Sequence, residues 1–183
     1  MAVINGGQIY TSANAGTHWT KQTSAPSAAW TGVASSADGS KLAAVAYQGR
    51  IYTSSDFGAT WTPQTGAPST NWESIASSSD GGKLAAVSYH DGIYLSANAG
   101  ATWTKQNTGT NAWAAVCSAA DGSRLAAAVN LGGIYYSSAT TQTITTPGST
   151  GGIAGAQGSA VELQYIGNNQ WMPVSSTGTI WAN

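Results

Sequence analysis

The chain has 183 residues, enough for one domain with a buried core. Only 7% of them are charged, against about 25% in an average soluble domain, so Ser, Thr, Asn, Gln and Gly must carry solubility. The net charge is −1 and the six basic residues stand singly, which excludes nucleic acid and an anionic membrane surface as partners.

In chain order, residues 2–10 align with residues 44–52, so the chain enters within the second strand of a unit that recurs downstream. Ile9-Tyr10, Ile51-Tyr52 and Ile93-Tyr94 mark steps of 42 residues, and Ile134-Tyr135 follows 41 later. A fixed period of this size is the mark of a repeat architecture. The unit that opens at Trp72 shows the plan. Residues 72–78 predict a short strand. Asp80-Gly81 predicts a tight turn, because Asp-Gly readily takes the positive φ of hairpins. Residues 83–89 predict a second strand, His90-Asp91-Gly92 a second turn, residues 93–96 a third strand and residues 102–106 a fourth. Asp38-Gly39 and Asp121-Gly122 repeat the first turn, with second strands at 41–45 and 124–128. Residues 143–160, rich in Thr, Gly and Ser, predict an irregular joint. Residues 161–166, 170–175 and 179–182 predict the first three strands of a last, partial unit.

Short strands separated by turn signals about every ten residues make an all-β array. Four antiparallel strands per 40–45 residues are the blade of a β-propeller. The expectation is therefore one all-β propeller domain over residues 1–183, with units at about 1–29 (partial), 30–71, 72–112, 113–150 and 151–183 (partial). Three whole units and two partial ones would close as four or five blades, or by completion between chains. Unpaired edges on the partial units predict a homo-oligomer.

A second regularity sits between the third and fourth strands. Ser54, Asp56, Gly58, Thr60 and Trp61 fit the pattern Ser-x-Asp-x-Gly-x-Thr-Trp. Ser12, Asn14, Gly16 and Trp19 form a variant with Asn for Asp and His18 for Thr; Ser96, Asn98, Gly100, Thr102 and Trp103 form another. The fourth copy, residues 137–144, has lost the Asp, Gly and Trp. On these three copies in register, the chain resembles the Asp-box (sialidase-type, BNR) repeat family of β-propellers. The residue chemistry is local: Asp or Asn accepts backbone N–H bonds, Gly takes a conformation a Cβ would penalise, and Trp buries apolar area. The resemblance implies that this hairpin is structural and lies away from the ligand face. Asn in two copies argues against a metal there.

The resemblance also brings sialidases to mind, which clamp a substrate carboxylate with three arginines beside a Tyr–Glu nucleophile pair and an Asp acid/base. This chain has only Arg50 and Arg124, so that activity is excluded within one chain. Other glycosidases need two facing carboxyls. With the turn and box aspartates set aside, Glu73 and Glu162 remain, in nonequivalent positions. His18 and His90 have no acidic orienter for a Ser nucleophile, and no Cys/His cluster suggests zinc. The expectation is no enzyme, no cofactor and no metal. Cys117 aligns with Ala34 and Ala76 and is expected to be a buried, inert thiol.

Trp30, Trp72 and Trp113 recur after polar loops, just before each first strand. They serve either as packing between blades or as a ring of aromatic platforms for sugars, with Asn71, Glu73 and Asn111 beside them to supply hydrogen bonds. Repeated sites would bind with avidity. The functional expectation is a non-catalytic, lectin-like module that recognises glycans or glycoproteins, from an extracellular or cell-surface parent. The alternative is a self-assembling repeat scaffold or truncated propeller fragment, with a hydrolase remnant third. No run of 18 apolar residues predicts a membrane span, and no signal-peptide pattern opens the chain.

Overall fold

The computed structural model describes residues 1–137 in full and, beyond them, the backbone of four strands within 153–182. The chain divides into two compact units, Met1–Ala139 and Thr140–Asn183.

In the first unit the strands follow the repeat. They are β1 (Ala2–Val3), β2 (Asn5–Gly7), β3 (Ile9–Thr11) and β4 (Thr20–Gln22); then β5 (Ala28–Ser35), β6 (Leu42–Ala46), β7 (Ile51–Ser54) and β8 (Thr62–Gln64). The third set is β9 (Trp72–Ser77), β10 (Leu84–Ser88), β11 (Gly92–Ser96) and β12 (Thr104–Lys105), and the last is β13 (Trp113–Ser118), β14 (Leu125–Val129) and β15 (Ile134–Ser137). Each set makes one antiparallel sheet in sequence order: β1-β3-β4, β5-β6-β7-β8, β9-β10-β11-β12 and β13-β14-β15. The short β2 leaves its own set and pairs with β5, Gly7 opposite Ala28. The same contact recurs 42 residues on as the Gly49–Thr70 bridge.

Alanine is a poor strand former by itself. Here it works because β6 and β10 are buried on both faces, so alternate residues pack into successive layers. Leu42, Ala44 and Ala46 join Ile9, Trp30 and Trp61 in one layer. Ala43 and Val45 join Trp72, Ile75, Leu84 and Ala86 in the next. Ala85 and Val87 join Trp113, Val116 and Ala127 in the third. The layers lie between sheets, and small residues let the sheets approach. At Gly32 a Cβ would lie 3.1 Å from Ser74 Cα and 3.3 Å from Ile75 N, so β5 approaches the backbone of β9 closely enough that a side chain there would crowd it.

Polar ties repeat across the same junctions. Ala37 N–H donates to Ser79 O (2.8 Å), and Ser79 N–H to Ala120 O (2.6 Å). Lys41 Nζ donates to Asp80 O and Lys83 Nζ to Asp121 O, each at 2.9 Å. The lysine stems lie over Gly81 and Gly122, where an added Cβ would come within 2.8 and 2.7 Å of them.

Each outer sheet lacks a neighbour on one side within this unit, and the side chains there show it. Trp19 is 42% exposed, whereas Trp61 is buried, and Ile134 and Tyr136 are exposed. Cys117 is also exposed, not buried as expected. Its counterparts Ala34 and Ala76 face the following sheet and pack there; β13 has no following sheet within the unit.

The second unit contains β16 (Ile153–Gly155), β17 (Ala160–Gly167), β18 (Gln170–Thr177) and β19 (Ile180–Ala182). β17 and β18 form the hairpin expected of first and second strands. β19 pairs with β16 instead of β18, so the blade order breaks here. Both pairings are internal to the segment, which is why it separates as its own unit. Most of the irregular joint at 143–160 lies outside the described residues.

Candidate functional site

The three tryptophans expected before the first strands are core residues. Trp30, Trp72 and Trp113 are 2%, 0% and 1% exposed. Each meets a tyrosine of its own sheet edge to face: Tyr52 at 5.2 Å, Tyr94 at 5.1 Å and Tyr135 at 5.2 Å between ring centroids. They present no face to solvent, which corrects the reading of them as sugar platforms. Of the two roles open in the sequence, burial selects packing, because close sheets leave a large apolar ring nowhere else to go. Their neighbours serve the backbone. Asn71 O accepts from Tyr89 N–H (2.9 Å); Asn111 O accepts from Trp113 N–H (2.8 Å) and His90 N–H (3.1 Å).

Glu73 is the extra residue of a bulge in β9, since Trp72 pairs with Ser88 and Ser74 with Val87. Thr31 and Ala114 occupy the same bulge in β5 and β13. Burial raises the Glu73 carboxyl above its usual value. Its equivalents carry no carboxyl, and the side chain of Glu162 lies outside the described residues, so no facing acid pair is present among the described residues.

The Ser-x-Asx-x-Gly hairpins close as their residue types require. In the second copy Ser54 Oγ donates to Asp56 Oδ1 (2.7 Å) and accepts from Gly58 N–H (2.9 Å), and Asp56 Oδ1 accepts from Thr60 N–H (2.9 Å). Ser12/Asn14/Gly16 and Ser96/Asn98/Gly100 repeat these bonds. The amide substitutes because the bond it must make is an acceptor bond. The one change is at the hydroxyl: Thr60 donates to Asp56, whereas Asn98 Nδ2 donates to Thr102. The residue before each Gly also has positive φ: Ala15 54°, Phe57 60° and Ala99 55°.

Most of the described aspartates are engaged in turns. Asp56 is held at about 2 by Thr60 and Ser54, and Asp38 at about 2 by Ser36 and Ser40. Asp80 is lowered by Ser78 and Gly82, Asp121 by Ser123. For Asp91 burial acts upward, but an ion pair with Lys105 and the Tyr94 hydroxyl outweigh it. Depressed carboxyls add stability above their ordinary value and lose it as pH falls through the folded value. The urea midpoint should therefore drop between pH 3.8 and about 2. Asp56→Asn should flatten that drop, since Asn98 shows the amide fits. An unchanged acid limb in the variant would count against the turn bonds as its cause.

What the sequence did not single out is a cleft that recurs at each junction. Between the second and third sheets it is lined by Lys41, Thr53, Ser54, Thr60, Thr62 and Gln64 on one side and Ser77, Gly81 and Leu84 on the other, with a volume of about 220 Å³. Forty-two residues on, Lys83, Leu95, Ser96, Thr102 and Thr104 face Ser118, Gly122 and Leu125 around about 280 Å³. Forty-two residues back, Thr11 and Ser12 face Ser35, Asp38, Gly39, Leu42 and Phe57 around about 410 Å³. The walls are hydroxyl-rich over an aliphatic floor. A repeated Thr/Ser pair, Thr11-Ser12 and Thr53-Ser54, is the sequence signal that could have found it.

No family model matches the chain, and no curated protein is similar to it in sequence. Solved structures are similar in fold. YCF48 from Cyanidioschyzon merolae is 16% identical with a TM-score of 0.51, over 60% of this chain and 34% of that one. The GH74 enzyme of Niastella koreensis is 22% identical with a TM-score of 0.52, over 63% and 17%. A nidogen/laminin complex is 16% identical with a TM-score of 0.50, over 61% and 43%. The sheets are propeller blades. The match spans between 17% and 43% of the length of these proteins, and identities this low establish the fold alone.

Proposed function

We propose that the chain is a portion of an Asp-box (sialidase-type, BNR) propeller that recognises carbohydrate and does not catalyse. The recurrent junction cleft carries the reading. A hydroxyl-lined, charge-poor groove with an aliphatic floor suits a neutral sugar, which offers both hydroxyls and an apolar ring face. Three clefts at equivalent positions on one compact unit would add avidity on a surface that displays many sugars. Support against catalysis comes from the described carboxylates, which are engaged in turns or an ion pair apart from Glu73. The box motif, met three times with the same bonds, supports the family placement. The test is a glycan and glycoprotein array probed with the whole chain. Binding to neutral glycans is expected, weakened by excess soluble oligosaccharide. An array with no binding at any protein concentration overturns the reading.

A second reading, self-association, is favoured by the outer faces that have no partner within the first unit and bear Trp19 on one side and Ile134 and Tyr136 on the other. Each resembles a face that is buried at internal junctions. Mass in solution should rise with concentration; a constant monomer mass removes this reading.

A further inference from the structure

One position breaks the repeat in a way that packing does not explain. The box residue with positive φ is Ala15 in the first copy and Ala99 in the third, but Phe57 in the second. A bulky residue in the left-handed region is an outlier that the structure must hold in place. Phe57 is also 64% exposed, so its ring contributes little to any core layer. It stands on the rim of the roomiest of the equivalent clefts. Its backbone N–H donates to Ser40 O (3.0 Å), which fastens the box turn to the turn that carries Asp38.

Asp38 supplies the polar half. Its Oδ1 accepts from Ser36 Oγ (2.6 Å), Ser40 N–H (3.0 Å) and Ser40 Oγ (2.9 Å). Its Oδ2 shares that same Ser40 hydroxyl proton (2.8 Å) and accepts from nothing else among the described residues. An ionised carboxylate oxygen has two acceptor sites, so Oδ2 keeps one for a ligand hydroxyl. In the other two clefts Lys41 and Lys83 lie across the corresponding glycine. At Gly39 nothing lies within 4 Å of an added Cβ, and no Lys or Arg lines this cleft, although Met1, which carries the α-ammonium, does.

We infer that Phe57 and Asp38 form a binding site for a neutral pyranose, with one sugar face stacked on the Phe57 ring and a sugar hydroxyl donating to Asp38 Oδ2. The ring's negative π-face attracts the polarised C–H bonds of a sugar, and a hydroxyl bond to a carboxylate is stronger than one to a neutral acceptor. Thr11 and Ser12 add hydroxyls on the opposite wall. The ionised Asp38 carboxylate repels the carboxylates of sialic and uronic acids, so the site discriminates against them. The inference rests on the recognition reading and specifies where the strongest of its clefts lies.

The test is calorimetric titration of the whole chain with the methyl glycosides of glucose, galactose, mannose and N-acetylglucosamine, and with sialic acid. At least one neutral glycoside should bind in one-to-one ratio, and sialic acid should not. Phe57→Ala and Asp38→Asn should each weaken binding by about tenfold. Phe57→Gly should weaken it equally while the melting temperature holds or rises, because glycine relieves the left-handed backbone; a structural role for the ring would lower it. If array glycans still bind Phe57→Ala as tightly as the parent chain, this site is wrong and the recognition reading stands. If sialic acid binds in preference, the site chemistry is wrong. If nothing binds on the array or in titration, both fall.

Discussion

Trp72→Ala should cost about 3–5 kcal/mol of unfolding free energy, read from urea denaturation. Trp72 is fully buried and sits in the layer formed by Val45, Ile51, Ile75 and Leu84, so truncation opens a cavity between two sheets that are too closely spaced to collapse around it. The edge-to-face contact with Tyr94 is lost as well. One term acts the other way. The Trp72 Nε1–H has no hydrogen-bond partner among the described residues, whereas Trp30 Nε1–H donates to Gly7 O (3.2 Å). Trp72→Phe, which keeps a ring and removes the orphan donor, should therefore cost far less than Trp72→Ala. Trp19→Ala at its exposed position should stay within about 0.5 kcal/mol. Equal losses at Trp72 and Trp19 would defeat the assignment of Trp72 to the core between sheets.

Gly58→Ala should cost about 2–4 kcal/mol, more than a helix or loop glycine usually does. Two effects add. The backbone has φ 92°, and an added Cβ would lie 2.8 Å from Thr11 Cγ2 and 3.1 Å from Leu42 Cδ1. Gly16 holds the same place in the first hairpin with φ 85°, yet its nearest contacts are Trp19 ring atoms at 3.8 and 3.9 Å. Gly16→Ala should then cost only the backbone share, about 1 kcal/mol. The two variants separate conformational strain from steric strain, with denaturation midpoints as the measure. Similar losses at both positions would mean that the hairpin does not press on the preceding sheet.

The blade plan was legible because period, turn dipeptides and box residues all repeat, and each repeat samples the same local chemistry. Asp-Gly and Ser-x-Asx-x-Gly specify turns through bonds that close within a few residues. Burial of Trp30, Trp72 and Trp113 was harder to read, since tryptophan suits a sheet junction and a sugar platform alike; only the spacing between sheets decides. Cys117 looked buried by analogy with Ala34 and Ala76, but its cover would have to come from a sheet that this unit does not contain. The departure at β19 had no local signal: residues 179–182 read as a third strand, and their partner is chosen by pairing with 153–155. The junction clefts were invisible because their two walls come from different repeats, and their lining residues look like ordinary Ser and Thr strand ends.

Lysines that reach from one blade to the next have a kinetic consequence. Lys41 and Lys83 each tie a side chain of one repeat to the main chain of its successor, so neighbours, and not distant parts, set how firmly a blade is held. Such a chain of nearest-neighbour couplings opens from its ends. Within the first unit the outer sheets, with one neighbour each there, fray first, while β6 and β10, clasped on both faces, exchange their amide hydrogens last.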